Sequence, residues 1–201
     1  MRSLSEAEHE ALLRLARDSV VEAVCRGDLP RYLRNDGIFG ERCGVFVTLQ
    51  VLRLLRGCIG VVEADEPLGS SIVRCAATAA LHDPRFHAIR QEEIPDLQIE
   101  LSLLSVPLAI RPEQIEIGRH GLLVSNGPHR GLLLPQVATE HSLTAEQFLA
   151  ETCRKAELAT DAWRNLDTKL FAFTCEVFSE QGFARRRRFA RHLGKQSPVD
   201  N

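Results

Sequence analysis

Gly44-Val45-Phe46-Val47-Thr48-Leu49, resumed after Arg53 by the run from Leu54 to Val62, decides the fold of this chain. Both runs are β-branched or apolar and the break between them is short, so two paired strands are expected. Toward the amino terminus, the polar stretch from Arg31 to Cys43 reads as a loop, and Gly27 and Pro30 stop a helix ahead of it. That helix opens on the capping box Ser5-Glu6-Ala7-Glu8 and carries Leu12, Leu13, Ala16, Val20 and Val24 on one stripe. Toward the carboxyl terminus, Asp65 is expected to cap and Pro67 to start a helix bearing Ile72, Val73, Ala76, Ala77 and Ala80, which ends before Asp83-Pro84.

Further along, Leu97, Ile99, Leu101 and Leu103 alternate with Gln98, Glu100, Ser102 and Leu104, the period of a strand with one buried face. Gly121 to Val124 and Gly131 to Leu134 form a hairpin around Asn126-Gly127, with Pro128 expected to lengthen its loop. A second capping box, Thr144-Ala145-Glu146-Gln147, opens a helix that fades near Glu157. Phe171, Phe173, Cys175 and Val177 then alternate with polar or small residues as one late strand. Strands and helices mix without a βαβ rhythm or a repeat, so the expected class is α+β, a mainly antiparallel sheet flanked by helices. No Pro/Ser-rich linker divides the chain, and residues 1–180 read as a single domain followed by a basic tail, 181–201.

The 201 residues are 44% hydrophobic and 26% charged, an ordinary globular composition. A formal net charge of −2 gives no global attraction to nucleic acid or anionic lipid, so the arginine-rich tail from Arg185 to Arg188 is the one place for a polyanion contact. The amino terminus opens into a charged amphipathic stretch, and no apolar run nears the roughly 20 residues of a membrane span. Six dispersed cysteines without a C-x-x-C pair suit free thiols in a reducing cytoplasm, with no structural metal site.

Chemistry concentrates on the second strand. In a strict extended period Arg56 and Cys58 share a face, where a guanidinium favours the thiolate over the thiol, and Gly57 and Gly60 leave room for a ligand. The competing structural account is that Cys58 is a core residue and Gly57 lets a helix approach. A nucleophilic thiol wants a base, and His120, in Gly118-Arg119-His120-Gly121, sits in a turn before a strand; a solvent-facing turn histidine is the plainer use. His82-Asp83-Pro84-Arg85-Phe86-His87 offers Arg85 to an anion, or else Asp83 turns the chain, Phe86 plugs the core and Arg85 pairs with an acid.

The order Gly44–Leu49, then Leu55-Arg56-Gly57-Cys58-Ile59-Gly60, then Asp83-Pro84-Arg85-Phe86, then Ile99–Leu104 resembles the AMMECR domain family. Gly118–Leu122, Leu134-Pro135-Gln136-Val137-Ala138 and Cys153-Arg154-Lys155-Ala156 extend the likeness to about Glu180. The resemblance implies a large and a small subdomain and marks the Cys58 segment as the hallmark. It brings no established activity or cofactor. Prokaryotic members are called protein A of the AmmeMemoRadiSam system, which implies a Memo-type protein and a radical SAM enzyme as partners. Two positions depart from the family pattern: Val51-Leu52-Arg53 replaces a polar, glycine-containing turn, and Glu157 stands where glycine commonly follows Lys155-Ala156.

Two functions of different class follow. In one, Cys58 is the nucleophile or thiol ligand of an enzyme or modification-system component, with Arg56 tuning its charge and His120 as base. In the other, the segment with Gly57, Gly60 and Arg85 is a non-catalytic binding module for a partner or small ligand. Nucleic-acid contact through the tail ranks behind both.

Overall fold

The structure, a computed structural model, describes residues 3–27, 35–63 and 65–181. It is α+β, with two antiparallel four-stranded sheets flanked by helices, and the described residues divide into two compact units, one spanning Leu104–Glu176 and the other formed by those up to Leu103 and from Val177 on. Of the basic tail expected at 181–201, residues 182–201 lie outside the described residues.

In the larger unit, helix α1 (Glu6–Arg26) begins at Ser5, whose side chain accepts from the Glu8 amide while the Glu8 carboxylate accepts from the Ser5 amide. Gly27, at φ 76°, closes it. Strands β1 (Gly44–Val51) and β2 (Leu54–Val61) pair antiparallel as the hairpin expected from sequence. Helix α2 (Leu68–Leu81) follows, then β3 (Leu97–Leu104), whose Leu97, Ile99, Leu101 and Leu103 are fully buried. Asp65 does not cap α2. Pro67 holds the cap position without a side-chain bond, and the Leu68 amide donates instead to the Glu41 carbonyl, 2.8 Å away.

In the smaller unit, the two-residue strand β4 (Leu108–Ala109) precedes β5 (Gly121–Asn126) and β6 (His129–Leu133). The β5–β6 connection is tighter than the sequence suggests, because Gly127 takes φ 57° ahead of proline-fixed Pro128, and Asn126 pairs directly with His129. Helices α3 (Pro135–Glu140) and α4 (Ala145–Lys155) follow. The expected late strand is two: β7 (Lys169–Phe173) joins the small sheet, ordered β4-β7-β5-β6, and β8 (Cys175–Ser179) joins the large one, ordered β2-β1-β3-β8. The apolar alternation in sequence runs through both, but the buried face does not: Phe173 is buried in β7, whereas in β8 Val177 is exposed and Phe178 is buried, so the inward set shifts by one residue across Thr174.

The two units have separate cores. Leu12, Val45, Val47, Leu49, Ile72 and Ile99 belong to the first, and Leu122, Phe148, Leu149 and Ala172 to the second. Among the described residues no helix is long and apolar enough to cross a membrane.

Candidate functional site

Strand β2 is an edge strand, so part of its backbone has no strand partner and must be satisfied otherwise. Its pairing with β1 shifts at one point: Leu49 faces Gly57 and Gln50 faces Leu55, which leaves Arg56 as an extra residue without a counterpart. This is a β-bulge, and it breaks the strict alternation expected from sequence. Leu55 consequently shares a face with Gln50, Thr48 and Cys58, while the Arg56 guanidinium pairs with the Glu93 carboxylate and donates to the His87 carbonyl.

Both glycines of the segment have partners inside the fold. A Cβ at Gly57 would lie 2.2 Å from the Ala79 carbonyl oxygen, so α2 packs directly on the strand. One at Gly60 would lie 2.4 Å from the Phe46 ring, its neighbour across the hairpin. The space these glycines leave is taken by the protein itself.

Cys58 is half-buried and stands opposite Thr48, whose hydroxyl donates to Sγ at 3.5 Å. Its backbone is held by the loop after α2. The Cys58 amide donates to Asp83 Oδ2 at 2.8 Å, and Arg85 Nη2 donates to the Cys58 carbonyl at 2.9 Å. Asp83 and Arg85 thus take the place of a neighbouring strand for this one residue.

The two residues are also bound to each other. Arg85 Nη2 donates to Asp83 Oδ2 at 2.7 Å, while Arg85 Nε and the Arg85 amide donate to Oδ1 at 2.9 and 3.1 Å. The Asp83 carboxylate is buried, whereas the guanidinium is half exposed and lies 5.3 Å from the Phe86 ring centroid. The Arg85 bonds, helped by the Cys58 and Arg85 amides and opposed by burial, hold the Asp83 carboxyl far below the usual carboxylate range. Arg85 in turn keeps its proton more firmly than an isolated arginine, chiefly through Asp83. Phe86 is only half-buried, and the core residue of this loop is Ile89.

Burial pushes Cys43 and Cys75 up to about 11 and raises Cys153, whereas Cys25 is exposed and Cys58 and Cys175 are half-buried. Among the described residues no group of three or more His, Cys, Asp and Glu side chains could hold a metal ion.

His120 belongs to the smaller unit. The turn before it uses Gly118 at φ 84°, and the ring is fixed locally, because the Glu116 amide donates to Nδ1 at 3.1 Å and the His120 amide donates to the Glu116 carbonyl at 3.0 Å. Neutral His120 therefore carries its proton on Nε2. Arg56, Cys58, Gly57, Gly60 and Arg85 all lie in the larger unit. Sequence reasoning missed Asp83, Glu93 and Thr48 as members of the cluster. Asp83 lies 25 positions from Cys58, and no local spacing signals that pairing.

The AMMECR1 family profile matches residues 13–178, most of the chain and all of this cluster. The chain belongs to the AMMECR1 family. It is 42% identical over 190 residues to a protein of Thermococcus gammatolerans, covering 86% of this chain and 90% of that one. A Methanothermobacter thermautotrophicus relative is 40% identical over 188 residues, covering 89% and 97%. The crystal structure of the uncharacterised protein PH0010 from Pyrococcus horikoshii superposes with a TM-score of 0.79 at 39% identity, over 88% of this chain and 93% of that one.

Proposed function

We propose that this AMMECR1-family chain acts through the Cys58 thiol, as nucleophile or thiol ligand, within an enzyme or modification system. One observation carries the reading: the Asp83–Arg85 pair binds both backbone groups of Cys58, so a guanidinium is fixed at the residue that bears the thiol. A guanidinium fixed beside a half-exposed thiol draws an anionic substrate toward it. Arg85 takes over the role that the sequence suggested for Arg56, whose charge is met by Glu93. The six free cysteines suit a cytoplasmic setting, where thiols stay reduced.

The test is iodoacetamide alkylation of native protein at neutral pH, with all six cysteines resolved by mass spectrometry. Cys58 should outpace Cys43, Cys75 and Cys153. If it stays unmodified until denaturant is added, the thiol is a packing element and this function is lost.

A second reading, a binding module for a Memo-type protein or a radical SAM enzyme, draws on the hairpin tip. Leu52 and Leu54 are 70% and 69% exposed there, with Leu55 behind them. Gly57→Val is no probe of it, because the Ala79 carbonyl makes that substitution a folding defect. Leu54→Asp is the suitable variant, and unchanged co-purification with those partners would reject the reading.

A further inference from the structure

The smaller unit carries an open groove of about 640 Å³, a size suited to a small organic ligand. Its floor is apolar, formed by Leu133 of β6, Val137 of α3 and Leu143 of the following connection, all half-buried. Its rim consists of His141, Glu151, Arg154 and Lys155.

The charged side of that rim is held in place by the end of α4. The Leu158 amide donates to the Cys153 carbonyl and the Glu157 amide to the Arg154 carbonyl, the paired bonds of a Schellman motif. Strand β6 lies directly against this turn, since a Cβ at Gly131 would sit 2.4 Å from the Ala156 nitrogen. Arg154 and Lys155 therefore project from a fixed helix end beside the Leu133 floor.

Charge decides what fits. Glu151 engages Arg154 through Nη1, at 2.5 Å to each carboxylate oxygen, and among the described residues Nε and Nη2 have no acid partner. Lys155 pairs with no acid among the described residues. The rim thus holds one carboxylate against two basic side chains, in a chain whose net charge is −2. A carboxylate guest gains a charge-assisted contact at Lys155 that a neutral guest lacks, and a cationic guest would be repelled by it.

We propose that this groove binds a small organic anion, a single carboxylate on an apolar chain, with the carboxylate at Lys155 and Arg154 and the chain on Leu133, Val137 and Leu143. The inference is independent of Cys58. The probe is octanoate, titrated calorimetrically into the full chain, with octanol as the uncharged control of equal length. Saturable one-to-one binding of octanoate is expected, with octanol weaker by about tenfold or more, as the loss of a charge-assisted contact implies. Lys155→Glu should weaken octanoate by at least about tenfold and leave octanol unchanged. Val137→Trp, which fills the floor, should weaken both. Lys155 is exposed, so its substitution leaves folding intact, as a melting curve will verify. Absence of saturable octanoate binding, equal binding of octanol, or indifference to Lys155→Glu would each overturn the proposal.

Discussion

At the scale of single residues, Asp83 ties the backbone of Cys58 to the stability of the fold. Its carboxyl is held far below the ordinary range by Arg85 first, then by the Cys58 and Arg85 amides. A depressed folded value means that the carboxylate stabilises the native state fully above the unfolded pKa, near ~3.9, and that this contribution is lost as pH falls through the folded value. Asp83→Asn should therefore cost about 2 kcal/mol at pH 7, with urea unfolding as the readout. The gap between wild type and variant should narrow steadily below about pH 4. A gap that is constant with pH would mean that the ionised carboxylate is not what binds the strand. The residue types at this site were legible in the sequence, but their pairing was not. Arg56 and Cys58 are two apart and looked like partners, yet a bulge, set by the cross-strand register, carries Arg56 to Glu93.

At the scale of elements, both departures from the family pattern fall on strained backbone. Leu52 and Arg53, between β1 and β2, adopt φ 50° and 69°, the paired positive angles of a type I′ turn, which favours Asn-Gly. Glu157 adopts φ 59° at the residue that closes the Schellman motif of α4, where glycine avoids a Cβ clash. A left-handed residue with a side chain costs roughly 1–2 kcal/mol. Replacing Leu52-Arg53 by Asn-Gly, or Glu157 by Gly, should each stabilise the chain by about 1 kcal/mol, read as a rise in urea midpoint at unchanged slope. A fall in midpoint would mean that the native side chains make compensating contacts. The capping boxes at Ser5 and Thr144 were readable because both partners lie within one turn. The short helix α3 and strand β4 were not, since six and two residues carry too little periodicity to register.

At the scale of the whole molecule, the α+β class was legible because strand runs and helical stripes alternate irregularly along the sequence. The division into two sheets was not, because the β7–β8 break at Thr174 interrupts neither apolarity nor period. The larger unit brings an edge strand and a distant loop together at Cys58, and the central claim of the proposed function is that the loop's Arg85, held on the Cys58 carbonyl, rather than Arg56, is the cation next to that thiol. The direct measurement is the ratio of Cys58 alkylation rates with iodoacetate and iodoacetamide, because a local cation favours the anionic reagent while general loosening speeds both. The account predicts that Arg85→Ala lowers this ratio and Arg56→Ala leaves it near the wild-type value. A ratio that falls with Arg56→Ala and holds with Arg85→Ala would contradict it.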